Sequence, residues 1–279
     1  MNIGLIDYYL DEPHAREYYQ KLPVRTDGKV QVTCAYGEIP APATGVDSRQ
    51  WCLERDLVCC ATPEEVVAMS DGIIVLAPDH CDKHEPLAQA ALRSGKPVFI
   101  DKTFAPDLAA AMRIFELAEA NGTPLCSYSA LRYAEEYDTI HRAGLSAVSL
   151  WGGGAVDTYS IHQLEPLVML MGVPAKKVLF TAAGHWYTLL IHFADGRRGS
   201  ITGGYGYTKF SCLAQRGKET NKVEILSKYF NRSIQAIGNF FLSRKADFDK
   251  QETLWIMALR TALLQAEQAP DTWVDVPQI

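Results

Sequence analysis

GIIVLAPDHCDKHEPLAQAALRSGKPVFI, residues 72 to 100, reads as a complete strand–helix–strand unit. Gly72-Ile-Ile-Val-Leu-Ala77 is a continuous apolar run, the pattern of a strand covered on both faces. From about Lys83 to Arg93 the spacing becomes helical, and it stops at Gly95, a residue that takes the left-handed conformation closing a helix. Pro97-Val-Phe-Ile100 is the next apolar run. Two short buried strands joined through a helix form a parallel pair, so the stretch predicts a parallel sheet wrapped by helices.

The alternation extends in both directions. Asn2 to Ile6 and Lys29 to Ala35 read as strands, and the Gly- and Pro-rich residues 37–50 as a loop. Thr62-Pro63-Glu64-Glu65 opens a helix: the Thr hydroxyl caps the Glu65 amide, Pro63 fits the first turn, and Glu65 reaches back. A helix from Pro106 to Asn121 puts Leu108, Met112 and Phe115 on one face and ends at Gly122, and Pro124 to Ser127 adds a last strand. The prediction is an α/β fold with a Rossmann-like, doubly wound parallel sheet over residues 1–126.

Residues 127–279 read as a second, α+β domain with an open antiparallel sheet. A helix is expected at about 132–143 and an apolar one from Ser160 to Met171. His185 to Ala194 and Arg197 to Thr202 form a hairpin around Asp195-Gly196, and Lys222 to Lys228 reads as a strand. Gly203-Gly204-Tyr205-Gly206-Tyr207 reads as a glycine-weakened loop or strand edge, and a helix from Gln251 to Gln268 closes the domain.

Composition narrows the function classes. A net charge of -6, from 27 Lys+Arg against 33 Asp+Glu, and the lack of any basic run exclude a phosphate-neutralising nucleic-acid surface. No apolar stretch approaches the ~18–20 residues that span a bilayer. MNIGLIDYYLDEP has no basic segment ahead of its short apolar run and does not read as an export signal. The seven cysteines are odd in number, with no CxxC spacing, which predicts free thiols in a reducing cytoplasm.

In an open parallel sheet, ligands bind beyond the carboxyl ends of the strands. Pro78-Asp79-His80-Cys81-Asp82-Lys83-His84 and Asp101-Lys102-Thr103 both follow such ends. Gly95-Lys96-Pro97-Val98-Phe99-Ile100-Asp101-Lys102 resembles the G-K-x-V-x-x-E-K-P segment of the glucose–fructose oxidoreductase / inositol dehydrogenase (Gfo/Idh/MocA) family, and His84 falls where that family has the His of T-P-N-x-x-H. Gly152-Gly-Gly-Ala-Val-Asp-Thr-Tyr-Ser-Ile-His162 is similar to its G-G-G-A-L-x-D-x-G-x-H element, Arg132 and Tyr133 to the end of its G-F-x-x-R-[FY] stretch, and Trp273 to Pro277 to its ending.

The resemblance implies an oxidoreductase that transfers hydride between NAD or NADP and a secondary alcohol of a sugar- or polyol-like small molecule, and a homo-oligomer built through the second sheet. It implies that Lys102 polarises or protonates the substrate oxygen, that His162 takes the hydroxyl proton, and that Arg132, Tyr133 and Asp157 lie toward the substrate. Asp7, Tyr8, Tyr9, Tyr36, Pro78, Asp79, His84, Asp101 and Lys102 lie toward the cofactor. Two departures qualify this. The three glycine positions of the family's G-x-G-x-x-G turn hold Asp7, Tyr9 and Glu12, and no acidic residue ends the second strand at Ala35-Tyr36-Gly37. Two full charges ~4 Å apart repel by about 4 kcal/mol at an effective dielectric of ~20, roughly a thousandfold in affinity. The family's catalytic aspartate is Thr158 here, so Glu165, one turn beyond His162, is expected to orient the imidazole. The short link between His141 and Trp151 leaves out the strand expected there. Two other readings stand beside the dehydrogenase: a non-redox binding or regulatory protein that has lost the dinucleotide, and a metal-assisted enzyme using His80, Cys81 and His84. The dehydrogenase site is expected to hold no metal.

Overall fold

The computed structural model describes residues 1–206 and 208–279. In chain order the first strands and helices are β1 (Asn2–Asp7), α1 (Pro13–Arg25), β2 (Gln31–Gly37), α2 (Ser48–Leu53), β3 (Val58–Cys59), α3 (Pro63–Met69), β4 (Gly72–Val75), α4 (His84–Leu92), β5 (Val98–Ile100), α5 (Leu108–Ala120) and β6 (Leu125–Cys126). There follow β7 (Ala147–Gly153), α6 (Val156–Tyr159), α7 (Ile161–Met171), β8 (Ala175–Ala183), β9 (Trp186–Phe193), β10 (Arg198–Gly204), β11 (Ser211–Arg216), β12 (Glu219–Glu224), α8 (Tyr229–Ser243), α9 (Lys250–Glu267) and β13 (Trp273–Asp275). The chain forms two compact units, Met1–Tyr128 with Ser233–Phe248, and Ser129–Arg232 with Asp249–Ile279.

In the first unit six parallel strands run in the order β3-β2-β1-β4-β5-β6, the doubly wound arrangement with its switch point between β1 and β4. Ile3, Leu5, Ile6, Ile73, Ile74, Val75 and Ile100 are wholly buried, each contributing about 1.5–3 kcal/mol relative to exposure. Gly4 lets α3 approach β1, since a Cβ there would come within 2.3 Å of Ser70 Oγ and Val66 Cγ1. Thr62 Oγ1 accepts from the Glu65 amide at 3.2 Å, and Glu65 reaches back to the Ala61 amide at 2.7 Å. The segment from Ser233 onward, read from sequence as part of the second domain, clusters with this unit: Ile234, Ile237, Phe240 and Phe241 of α8 are buried, with Phe241 lying over Gly72.

The second unit is a seven-stranded sheet ordered β12-β11-β7-β10-β9-β8-β13, with α7 and α9 among its helices. It is mixed rather than wholly antiparallel, because β10 runs parallel to β7. The β9–β10 hairpin forms as the alternation predicts. Three expectations fail. Residues 147–153 make a full strand at the centre of the sheet, so the strand expected to be missing is present. The region read as one helix at 132–143 is two 3₁₀ turns, Ala130–Tyr133 and Glu135–Thr139. Leu131, Ala134, Tyr137 and Ile140 are buried at a spacing of three, the 3₁₀ period rather than 3.6. The strand read at 222–228 ends at Glu224. Gly203 and Gly204 complete β10, where a Cβ on Gly203 would strike the Tyr187 ring, whereas Tyr207 lies outside the described residues.

Candidate functional site

The end of β1 and the start of α1 form the turn that the family pattern fills with glycines. Asp7 is the last residue of β1 and is wholly buried, and neither carboxylate oxygen has a hydrogen-bond partner among the described residues. Burial, reinforced by the charge of Glu12, raises its pKa well above the usual carboxylate range, against a smaller opposing pull from the Tyr8 and Tyr9 amides. Glu12 is the N-cap of α1, and its carboxylate accepts from the amides of His14 and Ala15. Burial raises it to about 7 despite His14 and those two amides. Tyr8, Tyr9 and His80 pack as a small aromatic group, with the Tyr8 and His80 rings 5.1 Å apart. Tyr36, the last residue but one of β2, pairs with Ile6 of β1.

Beyond β5, Asp101 is buried between His14 Nδ1 at 2.6 Å and the Tyr18 hydroxyl at 3.1 Å. Burial pushes the Asp101 carboxyl up, but the His14 charge and hydrogen bond, with Lys102, outweigh it and hold it at about 2. The same pair raises His14 against the effect of its own burial. Lys102 places its nearly buried ammonium 2.9 Å from Oδ1 of Asp79. Asp79 holds a positive φ of 66° just past Pro78. His84 opens α4 fully buried, its Nδ1 3.2 Å from the Phe104 carbonyl, and burial lowers its pKa.

In the second unit, His162 lies in the first turn of α7 with Nδ1 2.7 Å from Ser129 Oγ and the Tyr159 ring centroid 5.2 Å away. The Ser129 amide donates to Glu165 Oε2 at 3.4 Å. Arg132 donates to Glu165 Oε1 at 3.0 Å and to Glu252 Oε2 at 2.6 Å. Burial raises Glu165 to about 7 against the pull of Arg132, and the two carboxylates raise Arg132 in turn despite its burial.

Sequence reading identifies His162, Glu165 and Arg132 but joins them differently. Glu165 is not the residue on Nδ1 of the imidazole: its side chain turns inward to Arg132 and the Ser129 amide, and Ser129, which sequence reading misses, takes that ring nitrogen. Arg132, expected toward the substrate, is buried with its guanidinium on two carboxylates. Tyr133 and Thr158 are half-buried, and Asp157 is exposed, its carbonyl accepting from Arg260. The metal reading finds no support in the geometry, since the His80 ring packs on Tyr8 and only Nδ1 of His84 meets the Phe104 carbonyl. Among the described residues no group of three or more His, Cys, Asp or Glu is placed to hold a metal ion.

The opening turn also sets the terms for a dinucleotide. Glu12 already occupies the two α1 amides that a phosphate bridge would use, so the bridge fits only once Glu12 leaves them. Burial favours the neutral forms of both Asp7 and Glu12, so repulsion reckoned from two full charges overstates what a phosphate meets near neutral pH.

Residues 1–129 match the oxidoreductase family with an NAD-binding Rossmann fold, GFO_IDH_MocA. Two Escherichia coli (strain K12) proteins are similar in sequence. Uncharacterized oxidoreductase YhhX is 34% identical over 80 residues, 29% of this chain and 23% of that protein. Uncharacterized oxidoreductase YdgJ is 30% identical over 126 residues, 44% of this chain and 34% of that protein. The chain thus spans about a quarter to a third of the length of these curated relatives. In fold it is similar to a probable dehydrogenase from Thermotoga maritima, with a TM-score of 0.82, 12% identity and 99% of each chain covered. It is also similar to scyllo-inositol dehydrogenase from Lactobacillus casei with bound NAD(H) and scyllo-inositol, with a TM-score of 0.79, 14% identity and 99% of each chain covered. Among the described residues no helix is long and apolar enough to cross a membrane.

Proposed function

We propose that this chain, whose residues 1–129 belong to the Gfo/Idh/MocA oxidoreductase family, is an NAD(P)-dependent dehydrogenase acting on a secondary alcohol of a sugar- or polyol-like small molecule. The match of residues 1–129 to an NAD-binding oxidoreductase family carries this reading, and the structural relative that binds scyllo-inositol supports the substrate class. A bound nicotinamide supplies the hydride acceptor. The chain supplies the acid–base side: Lys102, its ammonium placed by Asp79, polarises or protonates the substrate oxygen, and His162 meets the substrate hydroxyl. Tyr36, Pro78 and Asp79 stand toward the cofactor, and Tyr133, Thr158 and Asp157 toward the substrate.

The same reading makes the protein a cytoplasmic homo-oligomer. Trp151, Trp186, Leu190 and Leu213 are exposed on one face of the second sheet, with the two Trp rings 5.8 Å apart, an apolar surface suited to a second copy. The deciding experiment is titration with NADH and NADPH by protein fluorescence and thermal shift, followed by a polyol oxidation screen. Saturable binding at micromolar coenzyme is expected, with about 2.7 kcal/mol of added stability at 100 times the dissociation constant. No response at millimolar coenzyme would overturn the reading and leave a non-redox scaffold, the outcome that Glu12 on the α1 amides favours.

A further inference from the structure

We infer that Ser129 is the positioning residue of His162, and that its hydroxyl holds the neutral imidazole with the proton on Nε2, so that His162 meets the substrate oxygen as a hydrogen-bond donor. The inference rests on the dehydrogenase reading only for what faces Nε2; the tautomer follows from the serine alone.

A hydroxyl carries one proton to donate and two lone pairs that accept. Ser129 is wholly buried at the head of the 3₁₀ turn Ala130–Tyr133, and its Oγ accepts from the Leu131 amide at 3.3 Å. Its own amide is committed to Glu165 Oε2. That leaves the hydroxyl proton, and the acceptor that Ser129 Oγ meets among the described residues is His162 Nδ1 at 2.7 Å. With the serine donating, Nδ1 must offer its lone pair, so the neutral ring carries its proton on Nε2. In the opposite arrangement Nδ1–H donates to Oγ and a buried hydroxyl proton goes without a partner, a desolvation penalty that favours the first tautomer by roughly fivefold or more.

The serine is itself held in place. Glu165 fixes its amide, Arg132 fixes Glu165, and Glu252 takes the other end of the guanidinium. The arrangement runs from a buried ion pair to an imidazole nitrogen through one backbone amide and one hydroxyl, so at Nδ1 the ring meets a hydroxyl and the carboxylate acts at one remove. A carboxylate on Nδ1 would select the opposite tautomer, with Nε2 free to accept a proton. The Ser129 pairing thus narrows the role of His162: its Nε2–H polarises a substrate oxygen as a hydrogen-bond donor.

The test needs neither substrate nor coenzyme. In protein labelled with ¹⁵N-histidine, two-bond ¹⁵N–¹H correlation spectra distinguish Nδ1–H from Nε2–H rings, and the His162→Gln spectrum assigns the signals by their loss. The wild-type ring is expected above its titration range as the Nε2–H tautomer. Ser129→Ala is expected to shift the Nδ1 resonance and mix the tautomers, whereas Ser129→Thr, which keeps the hydroxyl, retains the wild-type pattern. A wild-type ring protonated on Nδ1 would overturn the inference. So would an unchanged tautomer in folded Ser129→Ala. If Ser129→Ala does not fold, the wild-type tautomer alone decides. Because coenzyme is absent, a failed NADH titration beside an Nε2–H ring would sink the dehydrogenase reading and leave the role of Ser129 intact.

Discussion

Glu12 in the first unit and Glu165 in the second are nearly enclosed, and burial drives both carboxyls to about 7, yet their neighbours differ completely. Glu12 has two backbone amides and an acidic companion, Asp7. Glu165 has a full guanidinium, shared with Glu252. Asp101 is as deeply buried as either and goes the other way, to about 2, because the His14 imidazole and Lys102 both act on it. Burial alone therefore does not set the charge. What decides it is how strongly the neighbouring cations act against burial: Asp101, with the His14 imidazole hydrogen-bonded to it and Lys102 beside it, gains more than Glu165 does from a guanidinium it shares with Glu252.

The most severe way to break this comparison is to remove the shared cation. Arg132→Met leaves Glu165 and Glu252 without their guanidinium and should cost about 3–5 kcal/mol in urea unfolding at pH 8. The loss should be smaller at pH 5.5, where Glu165 takes up a proton. Equal losses at both values would mean that packing of the guanidinium, not its charge, holds the network.

Asp101 gives the next effect. Its folded pKa lies below the unfolded value, so its stabilisation is present above about pH 4 and is lost as pH falls toward 2. At about 1.4 kcal/mol for each pH unit separating the folded from the unfolded value, Asp101→Asn should cost about 2 kcal/mol at neutral pH and little at pH 2. Glu12 and Glu165 work in a separate window with the opposite sign. Their folded pKa values are raised, so the folded protein binds more protons than the unfolded chain between about pH 4.5 and 7, and stability falls as pH rises through that range. The raised His14 adds to the same slope. Thermal melts from pH 5 to 8.5 should show a declining midpoint, and Glu12→Gln should flatten it.

Much of the first unit is legible in the sequence because its signals are local: unbroken apolar runs for buried strands, glycines for helix stops, and Thr62 with Glu65 for a cap. The altered nucleotide turn is equally plain from Asp7, Tyr9 and Glu12. The second unit hides its logic in longer-range pairing. β7 escapes sequence reading because Ala147–Gly153 pairs with two strands far along the chain, and the buried spacing of three from Leu131 to Ile140 imitates a helix unless the 3₁₀ period is considered. α8 does carry a readable stripe, Ile234, Ile237 and Phe241 at helical spacing. Ser129 carries none: it stands 33 residues from His162 and joins it only through the tertiary fold.

Coenzyme binding sharpens the comparison on the side of Glu12. If this carboxylate competes with a phosphate bridge for the amides of His14 and Ala15, Glu12→Gln removes charge while keeping a capping oxygen. NADH affinity should then rise roughly tenfold at pH 8, equivalent to about 1.4 kcal/mol, and less at pH 6, where Glu12 is already largely protonated. Isothermal titration calorimetry at the two pH values measures both quantities. No gain at either pH would point to side-chain bulk rather than charge as the obstacle.

The smallest effect is the control that gives the others meaning. Thr62 caps α3 as Glu12 caps α1, through a side-chain oxygen on an early amide, but its oxygen is neutral and solvent-exposed. Thr62→Ala should cost about 1 kcal/mol, the ordinary value of an N-cap. Since the threonine hydroxyl does not titrate and its exposed surroundings exact no burial penalty on a charge, that cost should be the same at pH 5.5 and pH 8. Glu12→Ala removes a comparable cap, but also removes a buried acid that becomes progressively less welcome as it ionises. Its net cost should therefore shrink as pH rises, while that of Thr62→Ala stays level. If urea melts gave the two variants parallel pH profiles, the Glu12 cap would have to be treated as an ordinary helix terminus, and the contrast with Glu165 would rest on the ion pair alone.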